Sequence, residues 1–299
     1  NHFEISNQLS ILDSSSVQYL GVIFGLIFIT ASLCFKFGAA PFHIWVPDIY
    51  QGSLISTTTL LSTLPKMAVF IVFIKLYFIP FYTLNYIWSD ILIFVGTLSI
   101  IIGSIFALTQ DNIKRLLAYS AISNIGFIIL SLGLVSQSGL FASLYYTIVY
   151  SLTALASFGI ITHIISNSHG VENIADLAGL SKTHPYFAIL FLITMLSSAG
   201  IPPLIGFHAK LMVIQALIDS SYILLTIIVV LMTVISAYYY LKVIKVIYFE
   251  DRENLLATYA RSNILLSMNV ILLLALGLLP FLMFNLTSYL NSLLTVISI

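Results

Sequence analysis

Three lysines, Lys36, Lys66 and Lys210, stand within apolar stretches long enough to cross a lipid bilayer. A charged side chain at the bilayer centre costs about 2.5–3.5 kcal/mol, and such residues face an internal cavity, pair with a counter-charge or serve transport. A lysine held away from water binds its proton less tightly than one in solution, which suits loading and releasing a proton. Lys66 lies about twelve residues from either end of its apolar stretch, at the midplane. The alternative for it is a structural pair with a buried carboxylate, but Asp48, Asp90, Asp111 and Asp219 all fall near the ends of apolar stretches. Lys36 precedes Gly38-Ala39-Ala40-Pro41, and Lys210 follows Ala199-Gly200-Ile201-Pro202-Pro203. Proline removes a backbone donor and stops a regular helix, so Pro41 and the group Gly200, Pro202 and Pro203 mark two helix breaks. Carbonyls freed at such a break can bind water or an ammonium group; for Lys36 the alternative is snorkelling to the interface.

Other groups could extend a proton path. His208 lies two residues before Lys210, and histidine titrates near neutral pH, although a hydrogen-bonded packing role suits it as well. Tyr150, Ser151, Thr153 and Ser157 place hydroxyls along the middle of one stretch, where they either line a water wire or cap helix carbonyls. His163, near the inner end of that stretch, is either the mouth of the wire or an interfacial residue. Asp48 beside Tyr50 is expected to hold the segment after the first break by hydrogen bonds. No phosphate-binding loop, metal-ligand cluster or Ser-His-Asp arrangement is present in the sequence. The single cysteine, Cys34, reads as a small buried hydrophobe. No bound cofactor, metal or redox centre is expected in this chain.

The elements that must position these residues follow from composition. Of 299 residues, 60% are hydrophobic and 7% charged, and mean hydropathy is +1.09. Soluble domains carry about 25% charged residues, so the chain is a polytopic membrane protein. Its apolar runs are continuous, not alternating, which selects an all-α bundle over a barrel. A net charge of zero argues against a nucleic-acid partner. Eight spanning elements are expected: 17–50 interrupted near Gly38–Pro41, 54–79, 87–109, 113–135, 140–166, 186–218 interrupted at Gly200–Pro203, 222–249 and 264–280. The uncharged tail 281–299 is expected to lie in the interface or against a partner. Alternating the loops gathers Lys114, Arg115, Lys182, Lys242, Lys245, Arg252 and Arg261 on one side, which is then the cytoplasmic or matrix side. Both termini then face outward, and Lys75 snorkels at the end of the second element. The two broken elements carry lysine and break in reversed order, as inverted repeats would.

The run from Phe35 to Gly52, with its Pro41-Phe42-His43-Ile44-Trp45-Val46-Pro47-Asp48-Ile49-Tyr50-Gln51-Gly52, resembles the signature of the antiporter-like membrane subunits of respiratory complex I, in their subunit 2 branch (chain N in bacteria). The runs Asp111–Ser120 and Ala199–Lys210 are similar to that family too. The resemblance implies an all-α polytopic fold matching helices seven to fourteen of the family, two of them discontinuous. Residues 1–79 would be the remainder of a first inverted repeat, 87–249 the second repeat, and 262–299 a C-terminal helix and tail. Lys36, Lys66 and Lys210 match the family's lysines on helices seven, eight and twelve. The family's helix-five glutamate, partner of the helix-seven lysine, has no counterpart in the chain. Either a separate polypeptide supplies it with the first six helices, or the chain is a fragment of a longer protein. The expected function is proton translocation coupled to NADH:ubiquinone oxidoreduction, with the redox chemistry in other subunits. The partners implied are other membrane-arm subunits and lipids, and the location is the mitochondrial inner membrane, termini toward the intermembrane space, or a bacterial inner membrane. A related multisubunit cation/proton antiporter and a non-transporting scaffold are the alternatives.

Overall fold

A computed structural model of the chain describes residues 17–167, 172–251 and 263–297. The apolar runs become helices: α1 (Val17–Phe37), α2 (Trp45–Gly52), α3 (Ile55–Tyr77), α4 (Asn85–Leu108), α5 (Ile113–Gly133) and α6 (Gln137–Asn167). These are followed by the single turn α7 (Leu180–Thr183), then α8 (Pro185–Ala199), α9 (Ile205–Asp219), α10 (Ile223–Phe249), α11 (Ile264–Leu278) and α12 (Pro280–Ile297). Arg252 and Arg261 lie outside the described residues. Among the described residues, α1, α3, α4, α5, α6 and α10 are long and apolar enough to cross a membrane.

The bundle is built around α5. Its spanning window is 89% buried, against 22% for α1 and for α10, which form the periphery. Glycines bring α4 and α5 together: a Cβ on Gly103 would stand 2.5 Å from the Ser123 nitrogen, and one on Gly126 would stand 2.7 Å from the Gly96 carbonyl oxygen. Small residues let apolar helices approach closely enough for dispersion to hold them, since lipid gives no hydrophobic drive to pair.

The two expected breaks are present, between α1 and α2 and between α8 and α9. Pro65 makes no break; α3 continues through it. The C-terminal region departs from the sequence expectation. α11 has 15 residues, about 22 Å, short of the bilayer's hydrocarbon core. Pro280 opens α12, which turns 93° from α11. α12 packs on α6, with the Phe284 ring 5.5 Å from Tyr145 and Met283 and Thr287 buried, so the tail belongs to the bundle.

One end of the bundle collects the described loop cations. Arg115 pairs with Asp48 at 3.1 Å, Lys182 with Asp251 at 2.6 Å, Lys242 with Asp111 at 3.7 Å and Lys245 with Glu250 at 3.2 Å. Arg115 also donates to Gln51 at 3.0 Å, so the Asp48 end of α2 is tied to the start of α5. Lys75 is exposed in the last turn of α3, as snorkelling requires.

Candidate functional site

Both breaks end in the same way. In the first, the Gly38 N–H donates to the Cys34 and Phe35 carbonyls at 2.9 and 3.0 Å, and the Ala39 N–H donates to Cys34 at 2.9 Å. In the second, the Gly200 N–H donates to the Leu196 and Ser197 carbonyls at 3.2 and 3.0 Å, and the Ile201 N–H donates to Leu196 at 3.2 Å. This is the Schellman end, with a left-handed residue just past the helix. Gly38 has φ +78° and Gly200 φ +83°, a conformation glycine adopts without steric cost.

The Schellman bonds engage carbonyls three and four residues before the glycine and leave the one immediately before it free. In each break a lysine takes that carbonyl. Lys66, from α3, donates to Phe37. Lys210, from the second turn of α9, donates to Ala199 at 2.9 Å and contacts the Ser236 hydroxyl at 3.2 Å. The glycines make the room: a Cβ on Gly38 would stand 3.1 Å from the Lys66 ammonium, and one on Gly200 would stand 2.8 Å from Lys210 Cδ. Lys66 is 2% exposed and Lys210 6%. Aromatic faces complete each surrounding: Phe37 and Trp45 lie 5.8 and 5.6 Å from the Lys66 ammonium, and Phe127 lies 5.9 Å from that of Lys210. Among the described residues no carboxylate forms an ion pair with either lysine. The negative end of a helix dipole, about half an elementary charge, takes its place.

The remaining expected residues are placed differently. Lys36 lies in the last turn of α1, on the uncovered side beside Phe35; the face that packs inward carries Leu26, Thr30, Cys34 and Phe37. The first break therefore holds Lys66, and Lys36 stands apart from it. His208 does not join Lys210. Residues two apart on a helix do not face each other, and the His208 ring lies against Phe207 and Phe284 at 5.7 and 6.4 Å. His163 ties α6 to the start of α11 through Asn263 at 2.6 Å and stacks on Phe187. That arrangement anchors two helices.

Two small polar cavities lie side by side, one of about 20 Å³ between α5, α6, α8 and α10 and one of about 10 Å³ between α5, α6, α8 and α9, the second reaching Lys210. Of the α6 hydroxyls singled out in sequence, Tyr150, Thr153 and Ser157 border them and Ser151 does not. Asn124, Ser197, Ser198 and Tyr240 also line these cavities, and sequence reasoning passed over them. The signal for Asn124 was present: a lone carboxamide in the middle of a buried apolar helix. A third cavity, of about 230 Å³, borders Lys210 from the α10 side, between Gly200, Phe207 and Thr233.

The chain matches, over residues 1–236, the family model described as NADH:quinone oxidoreductase/Mrp antiporter, transmembrane. It is 42% identical over 279 residues to NADH-quinone oxidoreductase subunit N of Ruthia magnifica subsp. Calyptogena magnifica, covering 93% of this chain and 58% of that protein. It is 39% identical to the subunit N of Hydrogenovibrio crunogenus, again over 93% of this chain and 59% of the relative. The chain thus spans somewhat more than half the length of these curated relatives. Among solved structures, a chain of respiratory complex I from Thermus thermophilus with bound aureothin aligns with TM-score 0.69 and 30% identity, over 85% of this chain and 56% of that one. A chain of the Mrp complex from Dietzia sp. DQ12-45-1b aligns with TM-score 0.84 over 98% of this chain and 62% of that one; at 22% identity it shares the fold.

Proposed function

This chain belongs to the NADH:quinone oxidoreductase/Mrp antiporter transmembrane family, and from that premise we propose that it works as a proton-translocating membrane subunit of respiratory complex I. The observation that carries the reading is the repeated one: two buried lysines, each held by the free carbonyl of a broken helix and, among the described residues, by no carboxylate. Such a lysine is not locked in a neutralising pair. Its proton can leave when the surroundings change, and the carbonyl holds it when it returns. In this reading Lys66 stores a proton at the centre of the bundle and Lys210 exchanges one with the aqueous side. Two like charges brought close in a low-dielectric interior repel by several kcal/mol, enough to move a proton from one to the other. Each charge moved across the membrane against 100 mV costs about 2.3 kcal/mol. Oxidoreduction in other subunits supplies that work, and no cofactor is assigned to this chain.

Lys36 enters this scheme through a partner. It is a cation on an apolar face where Phe28 is 70% and Phe35 54% exposed, a position that lipid alone does not favour. A membrane segment bearing a carboxylate, supplied by a further part of a longer chain, by a separate polypeptide or by another membrane-arm subunit, would cover it. The membrane is the inner membrane of a mitochondrion or a bacterium, with the Lys114–Arg115 end toward the matrix or cytoplasm.

The test is Lys66→Met in the assembled complex, reconstituted in vesicles, with NADH oxidation, proton uptake and assembly measured together. Methionine keeps the volume and removes the ammonium. The expected result is an assembled complex that pumps fewer protons per NADH. Unchanged pumping defeats the proposal, and loss of assembly with unchanged pumping in the residual complex identifies a scaffold. Sodium-dependent exchange without NADH or quinone identifies a cation/proton antiporter.

A further inference from the structure

We propose that the Tyr150 hydroxyl is the relay joining two single-water sites on the way to Lys210, with Asn124 as the residue that positions the water on either side. The inference rests on the proton-translocating reading above and adds a residue to it. The cavities of about 20 and 10 Å³ are each of the order of one water, which needs roughly 10–15 Å³. Asn124, Tyr150, Thr153 and Ser198 line both, so these four residues form the wall between them. Ser120 and Ser157 close the far side of the first, and Ser197 and Lys210 close the far side of the second.

Hydrogen-bond direction separates the wall residues by role. Thr153 donates to the Tyr150 carbonyl at 3.0 Å and Ser198 to the Thr194 carbonyl at 2.9 Å, so their hydroxyl protons are already engaged. They can accept from a water but do not pass a proton on. Asn124 accepts from the Tyr146 hydroxyl at 2.9 Å through its carbonyl oxygen, which turns its NH2 group away from Tyr146. That group donates only. The Tyr150 hydroxyl is different: it is buried, with no hydrogen-bond partner among the described residues, and the residue is 4% exposed. Ser197 Oγ, on the Lys210 side, is likewise buried without a partner among the described residues. An unpaired buried hydroxyl costs about 1–3 kcal/mol unless water satisfies it. A hydroxyl both donates and accepts, and Tyr150 borders both sites.

The step balances without a further reagent. An excess proton on the water beside Lys210, in the second site, passes to the Tyr150 oxygen as the hydroxyl releases its own proton to the water of the first site. At the tyrosine oxygen one O–H bond forms and one breaks, the donor water loses one and the receiving water gains one, so the tyrosine stays neutral and one proton crosses the wall. The reverse sequence returns a proton to Lys210.

The experiment uses the assembled complex in vesicles. Tyr150→Phe removes one oxygen and keeps the ring. The expected result is a several-fold fall in protons pumped per NADH with assembly retained and an altered solvent deuterium isotope effect on pumping. Thr147→Val, buried on the same helix and bordering neither site, is expected to pump as the parent. If Tyr150→Phe pumps as the parent while Lys210→Met does not, the relay is overturned and the proposed function stands. If Lys66→Met pumps as the parent, the function itself fails. Should Tyr150→Phe not assemble, Asn124→Leu and Asn124→Gln decide: loss in the first with retention in the second supports the relay, and equal pumping in both overturns it.

Discussion

Replacing Gly200 by alanine tests whether a missing methyl group sets the lysine site. The substitution acts twice. Alanine at φ +83° enters the left-handed region, at a cost of roughly 1–2 kcal/mol. Its Cβ would then stand 2.8 Å from Lys210 Cδ, 3.4 Å from Cε and 3.5 Å from the ammonium. Ordinary carbon contacts begin at about 3.5 Å, so the lysine stem must move by something under an ångström. The neighbour is a flexible side chain and the third cavity, of about 230 Å³, offers it space, so the fold absorbs the change. The hydrogen bond to Ala199, 2.9 Å in length, does not survive such a shift unaltered. A hydrogen bond to a charged group is worth about 1.5–3 kcal/mol, which corresponds to roughly a tenfold to hundredfold change in the equilibrium it governs. The expected outcome is a complex that assembles, oxidises NADH and pumps several-fold fewer protons per turnover. Native gel electrophoresis reports assembly, and a pH-sensitive dye in vesicles reports pumping. Parental pumping by an assembled Gly200→Ala complex would refute the claim that the carbonyl before the glycine holds the working lysine.

Gly206→Ala is expected to act in the opposite way. Its Cβ would fall 1.8 Å from the Ser197 carbonyl oxygen, a backbone atom that cannot swing aside, so α8 and α9 must separate and the assembled complex is lost on native gels. Arg115→Ala removes the 3.1 Å pair with Asp48, whose side chain is 66% exposed. Surface pairs contribute about 0–1 kcal/mol, so thermal stability of the complex should fall only slightly; a large loss in a melting assay would show that α2 depends on this tie.

Legibility in the sequence followed how far each signal departs from its surroundings. Lys66, Lys210 and the glycine and proline breaks are local anomalies in apolar runs, and a bilayer makes such anomalies expensive enough to read directly. Helix existence was legible for the same reason. Pairing across helices was not. The sequence attaches Lys36 to the first break because it lies two residues from Gly38, but a side chain in the last turn of α1 points around the helix, and the carbonyl is reached from α3 by Lys66. His208 shows the same limit: closeness in sequence to Lys210 put it on another face, against Phe284. The turn at Pro280 was also missed as a feature of the bundle, since the apolar tail has no charge to mark which face would pack.

The two breaks meet their lysines from different directions in the chain. At the first, 28 positions separate Gly38 from Lys66, which lies on the next long helix; at the second, 10 positions separate Gly200 from Lys210, within one broken element. A direct sequence repeat would keep that spacing. What recurs instead is a local chemistry: a left-handed glycine, a Schellman end and a carbonyl before the glycine that the cap bonds leave unclaimed. Any helix that ends this way within a bilayer must find a donor for that carbonyl, because lipid offers none and each unsatisfied group costs several kcal/mol. A lysine meets the need and in doing so gains a hold for its charge that needs no carboxylate. The break and the buried cation therefore stabilise each other, which explains why they occur together, and why the bond that joins them remains free to respond to a proton.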